Sequence, residues 1–367
     1  MQPIIDADTH ISESTEMWAM FEKEMYGRRP VLLSLPDDTL YGNWNKTWLI
    51  DGNIFPKPAG KGGFRLITPS TSKVQFNRKD LSVACRDMTD IPSRLADMDR
   101  LGIASQVVYP TLFLVYLTDD PELDVALSRA YNRFIAQACA QSNGRIHWVA
   151  IPPLRDIAES VKELHWAKQN GAVGVFFRGM EGNYTLDNPR FHPVYQAASD
   201  LDLPICVHTG SSTPAISEMF DLERNRQWSH SAFPPLHAFR DLVLNQIPDM
   251  FPKLRFGFLE ASASWIPFLI HKLKRDNTKR WKSSWKSPRD LFEDCRFYVA
   301  CEADEDLNYL IEYAGADHLI SGSDYGHNDP AEQAQLVKQM QSREDVSPSL
   351  IEKILCDNPK QFYQICS

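Results

Sequence analysis

Asp8 and His10 close the opening run Ile4-Ile5-Asp6-Ala7-Asp8-Thr9-His10. Their spacing of two is that of an extended strand, in which alternate side chains point the same way and can converge on one ion. A carboxylate and an imidazole together suit a borderline divalent cation such as zinc, which takes nitrogen and oxygen ligands in open catalytic sites. Two further strand-like runs end in residues of the same kinds: LPICVHTG delivers His208 and LISGSDYGHND delivers Asp324. Each alone could cap the next element. Three separate runs ending in potential ligands instead predict one metal site made of Asp8, His10, His208 and Asp324, because catalytic groups of a parallel barrel gather at the C-terminal ends of its strands.

The elements that must position these residues are legible as short β-branched and aromatic runs alternating with stretches of helical spacing. Eight strands are expected: Ile4 to Asp8, Ser105 to Tyr109, Ile146 to Ile151, Ala172 to Phe177, Pro204 to His208, Arg255 to Glu260, Arg296 to Ala300 and His318 to Ser323. Between them, Asp124 to Gln141 sets Leu127, Ala130, Phe134, Ile135 and Ala138 on one helical face, and Ile157 to Gln169 does the same with Ile157, Val161, Leu164 and Ala167. The pattern predicts an α/β chain folded as a single (β/α)8 TIM barrel. Residues 13–90 interrupt the alternation. Their Pro, Gly and Trp content, with Tyr41, Trp44, Trp48, Phe55 and the GKGG run at Gly60 to Gly63, predicts an insertion after strand one. A lid over the mouth of the barrel, an oligomer contact or plain surface elaboration would account for it.

Arg178 ends strand four, and its guanidinium offers two parallel donors for a substrate carboxylate or for a structural salt bridge. His327 follows Asp324 by three residues, where it could reach substrate from the same loop or, as a lone loop histidine, serve as a supporting or surface group. His230 and His237 lie in a long segment after strand five that borders the expected pocket, while His147, His165, His192, His271 and His318 lack informative spacing and read as structural.

The chain resembles the amidohydrolase superfamily, in the branch that includes aminocarboxymuconate semialdehyde decarboxylase and γ-resorcylate decarboxylase. The segments that carry the resemblance are IIDADTH, RLADMDRLGIASQVVYPT, NGRIHWVAIPP, GAVGVFFRG, FHPVYQAASDLDLPICVHTG, FPKLRFGFLEASASW and GSDYGHND. It implies that Asp8 and His10 are the ligand pair of strand one, His208 the strand-five histidine and Asp324 the strand-eight aspartate, around zinc or manganese. Strand six departs from the pattern: it ends in Glu260, where those decarboxylases present a histidine. Ligand, general acid/base and structural acceptor are all open to that glutamate.

The first expectation for function is a metal-dependent hydrolase in which Asp324 accepts a proton from an activated water and Glu260 or His327 protonates the leaving group, acting on a small aromatic or unsaturated acid or amide. The alternative is a decarboxylase in which Asp324 protonates a ring or vinyl carbon as carbon dioxide leaves. A binding protein on a lapsed barrel is the third reading, and four retained ligands argue against it.

Composition narrows the partners. At 43% hydrophobic and 24% charged residues the chain has the balance of a globular protein, and its formal net charge of -9 comes without a basic block that could neutralise a row of phosphates, which excludes nucleic acid. Seven cysteines without a CxxC pair predict a reducing compartment. No apolar run reaches the roughly 18 residues a membrane span requires, so a cytoplasmic enzyme is expected, assembled as a homo-oligomer, a dimer first.

Overall fold

The computed structural model describes residues 2–39, 41–42, 45–56, 65–72, 80–211, 213–215, 233–276, 281–327 and 333–365. Eight parallel strands follow one another in space in chain order: β1 Ile5–Ile11, β2 Ser105–Pro110, β3 Ile146–Ala150, β4 Ala172–Arg178, β5 Ile205–His208, β6 Phe256–Leu259, β7 Phe297–Ala300 and β8 Leu319–Ile320. The ring closes beyond β8. Ala7 N donates to Ser321 O at 3.2 Å, Asp324 N donates to Asp8 O at 3.0 Å, and Thr9 pairs with Tyr325 as a parallel bridge. The expected TIM barrel is therefore present, and all eight expected strands are in it.

Nearly every strand residue is buried, because helices cover the outside while inward side chains fill the barrel. The helices start where sequence provides an acceptor for their free N–H groups. Asp90 caps Ile91–Leu101, Asp120 caps Pro121–Cys139 and Asp156 caps Ile157–Gln169, each through its carboxylate. The second begins three residues before the expected Asp124, since Pro121 at its first position extends it.

Three departures from the expected strands bear on the site. The β1–β2 register slips by one residue between Asp6 and Thr9, so strict alternation from Asp6 through His10 does not hold. β6 stops at Leu259 because Glu260 adopts φ 49°, and the chain beyond β8 turns at Asp324 with φ 53°. Positive φ costs a non-glycine residue energy, and the barrel rim holds both of these carboxylates there. Gly322 makes the seam possible: a Cβ on it would stand 2.3 Å from the Asp8 Cβ.

Within residues 13–90 the described part forms a small antiparallel sheet, Val31–Ser34 with Lys46–Ile50 and Lys46–Ile50 with Asn53–Phe55. Trp18 packs edge-on against Trp48, with ring centroids 6.1 Å apart, and lies 6.4 Å from Phe113 in the loop after β2. Trp44 and the Gly60–Gly63 run lie outside the described residues. Among the described residues, the six cysteines are free thiols and no helix is long and apolar enough to cross a membrane.

Candidate active site

At the C-terminal mouth, six buried side chains from four parts of the barrel meet: Asp8 and His10 of β1, His208 of β5, Glu260 after β6, and Asp324 and His327 after β8. His10 Nε2 lies 3.5 Å from Asp8 Oδ1, 3.3 Å from Glu260 Oε2 and 3.3 Å from Asp324 Oδ1. His208 Nε2 lies 3.3 Å from Asp8 Oδ2 and 3.2 Å from Glu260 Oε2. These separations exceed the roughly 2.7–2.9 Å of a charge-assisted hydrogen bond. They match the edge of a tetrahedron around an ion with bonds of about 2.0–2.1 Å, whose corners stand about 3.3–3.4 Å apart.

The imidazoles are oriented for that purpose. Nδ1 of His10 stands 2.9 Å from the Pro110 carbonyl oxygen and Nδ1 of His208 stands 3.0 Å from that of Thr209. With Nδ1–H donating outward, each Nε2 turns its lone pair into the cluster, where both nitrogens are buried without a hydrogen bond. Burial, then the neighbouring imidazoles of His327 and His208, hold His10 well below its ordinary pKa, so it is neutral. Neutral imidazoles and carboxylates are the donor set of a divalent cation, and the residues fit one.

Two overlapping four-residue groups have ligand atoms within 4.8 Å of one another: Asp8, His10, His208 and Glu260, and His10, Glu260, Asp324 and His327. The four ligands expected from sequence are split between them. Glu260 belongs to both, which places it at ligand distance as well as at acid/base distance.

Each carboxylate has a device that aims it. Asp6 accepts from Ser323 N at 2.7 Å and Ser323 Oγ at 2.6 Å, tying β1 to the residue before Asp324. Burial pushes the Asp6 carboxyl up to about 7. Glu305 accepts from Ala263 N at 2.9 Å and Ser264 N at 2.7 Å, fixing the turn that follows Glu260. His327 stacks on His10 with ring centroids 3.8 Å apart, places Nδ1 2.7 Å from Asp324 Oδ1 and Nε2 2.8 Å from Thr111 Oγ1. Glu13 in turn accepts from Thr111 N at 3.0 Å and Leu112 N at 2.8 Å, and burial pushes it up to about 8. Below the cluster, Arg94 is fully buried and donates to His10 O and Thr9 Oγ1, each at 3.0 Å, and to Gln106 Oε1 at 2.9 Å.

Arg178 lies outside the six-residue cluster. Its Nη2 and Nε bond Glu181 at 2.5 Å and 3.2 Å, and its Nη1 donates to the carbonyls of Phe113 and Val115 at 3.2 Å and 2.7 Å. A substrate carboxylate would have to displace one of these partners. His237 is absent from the cluster and packs at a tilt against Phe233, and His230 lies outside the described residues. His318 is structural, bonded to Phe297 O at 2.8 Å and Glu293 at 3.1 Å. Sequence reading missed Ser323, Thr111, Glu13 and Glu305, polar residues whose partners lie far away in the chain. The signal nearest to hand was Glu13, three residues past His10 in the same segment.

The sequence profile described as amidohydrolase matches residues 5–365. This chain belongs to the amidohydrolase family. Among relatives of this amidohydrolase, the γ-resorcylate decarboxylase of Rhizobium radiobacter is 24% identical over 266 residues, covering 67% of this chain and 79% of that one. An amidohydrolase from Mycobacterium avium subsp. paratuberculosis superposes with a TM-score of 0.77 at 18% identity, over 99% of this chain and 98% of that chain. The 5-carboxyvanillate decarboxylase of Novosphingobium aromaticivorans, in a crystal structure with manganese and a methoxy-hydroxy-nitrobenzoic acid bound, gives a TM-score of 0.67 at 17% identity, over 99% of this chain and 97% of that chain. The chain is thus an enzyme of a metal-dependent hydrolase and decarboxylase family.

Proposed function

We propose that this amidohydrolase catalyses the non-oxidative decarboxylation of a small hydroxylated aromatic acid. The observation that carries the reading is Asp324: a carboxylate on strained backbone, 3.3 Å from His10 Nε2 and backed at 2.7 Å by His327, in a chain whose named relatives are decarboxylases. Those relatives favour this chemistry over the hydrolysis that heads the sequence reading. Asp8, His10 and His208, with Glu260 or Asp324 as the fourth donor, are the residues that would hold a divalent cation, zinc first on the tetrahedral spacing and manganese second. Such an ion supplies positive charge that gathers the substrate carboxylate and the adjacent phenolic oxygen at the mouth.

The chain's own groups carry the proton. Protonated Asp324 delivers it to the ring carbon that bears the carboxylate; the carbon–carbon bond then breaks, its electron pair returns to the ring, and carbon dioxide leaves. Asp324 ends as a carboxylate and regains a proton through His327, whose other nitrogen is held by Thr111. Glu260, facing two imidazoles, keeps its oxygen toward the same point.

Incubating metal-loaded protein with a panel of hydroxybenzoates and measuring headspace carbon dioxide against the phenol tests the reading. Equal amounts of both are expected. Turnover of amides, esters or lactones with no carbon dioxide from any acid would return the assignment to hydrolysis, which Glu260 in the place of the decarboxylase histidine favours. Elemental analysis should give about one divalent ion per chain.

A further inference from the structure

The loop after β2, Thr111 to Val115, meets the cluster through one hydroxyl: Thr111 Oγ1 stands 2.8 Å from His327 Nε2. Two side chains of opposite charge hold the loop at its two ends. At the start, the buried Glu13 takes the N–H groups of Thr111 at 3.0 Å and Leu112 at 2.8 Å, one on each carboxyl oxygen. At the far end, Nη1 of Arg178 donates to the carbonyls of Phe113 at 3.2 Å and Val115 at 2.7 Å. The pairing follows from the backbone. Leu112–Leu114 is a single 3-10 turn, which leaves N–H groups unpaired where it begins and carbonyls unpaired where it ends. A carboxylate only accepts and a guanidinium only donates, so each sits at the end that needs it.

The surroundings leave the loop no room to drift. Glu181 aims Arg178, accepting from its Nη2 at 2.5 Å, its Nε at 3.2 Å and its backbone N–H at 2.8 Å. The segment that follows His208 closes the back: a Cβ on Gly210 would stand 2.5 Å from Leu114 O, Val115 bridges Ser211 in parallel register, and Tyr116 N donates to Ser211 O at 3.2 Å. Leu112, Phe113, Leu114 and Val115 are all buried, so water cannot take over the bonds that Glu13 and Arg178 make. One short loop thereby joins β1, β4 and β5 to the histidine beyond β8, and all three nitrogens of Arg178 are engaged by the protein itself.

We infer that Arg178 and Glu13 are positioning residues for the proton step: gripping the loop from both ends, they hold Thr111 Oγ1 on His327 Nε2 and so fix the ring whose Nδ1 stands 2.7 Å from Asp324 Oδ1. The inference rests on the decarboxylase reading for what Asp324 does with its proton, but the grip can be read from the His327 ring without turnover.

The experiment uses zinc-loaded protein labelled with 15N in its histidine rings, the His327 signals being assigned by their loss in His327→Gln. Thr111→Val removes the hydroxyl, and Glu13→Gln replaces one acceptor oxygen with an amide. Arg178→Lys keeps a charge beside Glu181 but cannot span three partners as a planar guanidinium does. All three variants should move the His327 ring signals in the same direction, and Thr111→Ser should return them. On a hydroxybenzoate that the protein decarboxylates, the three variants should lower kcat about tenfold or more at unchanged KM and metal content. Glu13→Gln or Arg178→Lys should add no further loss to Thr111→Val, because both act through that hydroxyl. His327 signals that stay in place in any of the three variants, or losses that multiply in the double variants, would overturn the assignment. A raised KM with kcat intact in Arg178→Lys would likewise overturn it and make Arg178 a substrate-binding residue. Shifted His327 signals in a protein that releases no carbon dioxide would leave the positioning role standing and remove the decarboxylase reading.

Discussion

The two sides of the barrel mouth are built on opposite principles. Around β1, β5, β6 and β8, three carboxylates and three imidazoles crowd together with no arginine or lysine among them, and they are stable as a group only with a cation or shared protons between them. Around β3 and β4, three guanidiniums line a cavity among apolar side chains, one of them paired with Glu181. Each side can be broken without the other.

The largest effect belongs to the cation side. His208→Ala should lose metal and activity together, since its Nε2 faces both Asp8 and Glu260 and nothing else on β5 replaces it. Elemental analysis near one ion per chain with activity at background would remove His208 from the ligand set. Glu260→Gln comes next. Glutamine keeps the shape and removes proton transfer, so kcat should fall on the order of 100-fold or more if the acid/base role holds. Metal content decides between its two positions in the cluster: retained metal keeps Glu260 as a proton carrier, lost metal makes it a ligand, and wild-type turnover with full metal would refute both.

A smaller effect is expected one layer out. Ser323→Ala removes the hydroxyl that holds Asp6 at 2.6 Å and loosens the tie between β1 and the Asp324 turn. Partners that orient metal ligands typically contribute about 10- to 100-fold in metal affinity, and the low end applies here because the Ser323 N–H still bonds Asp6. Metal titration by competition with a chelator measures it, and an unchanged affinity would make Asp6 a structural residue only.

These layers differ in how far sequence revealed them. The strands and the six clustered residues were readable because each lies at or just past the end of an apolar run, where period and position carry the information. Glu260 could be placed but not given a role, since its aim depends on a positive φ and on Glu305, 45 residues later in the chain. Asp6 stands two residues before Asp8, and past a register slip it bonds Ser323 instead of joining the cluster. Arg178 could be seen as a paired or a clamping group. Glu181, three residues on, is its partner in the structure, through a hairpin that has no periodic signature. The arginines of the cavity could not be linked from sequence, because Arg155 lies in a turn and Arg190 in the short 3-10 helix Pro189–Phe191.

The smallest effect belongs to the arginine side, through Asp124. Burial pushes this carboxyl up to about 6, against the lowering influence of the Arg155 guanidinium and backbone N–H and of Arg178, with Glu181 adding to the rise. A carboxyl raised on folding costs stability once it ionises, so the cost is absent below its ordinary value near 4 and complete above about 6. Asp124→Asn should therefore gain stability relative to the wild-type protein as pH rises from about 4 to about 7, read by urea unfolding across that range. A difference that stays flat or falls with pH would show that Arg155 and Arg178 hold Asp124 charged throughout.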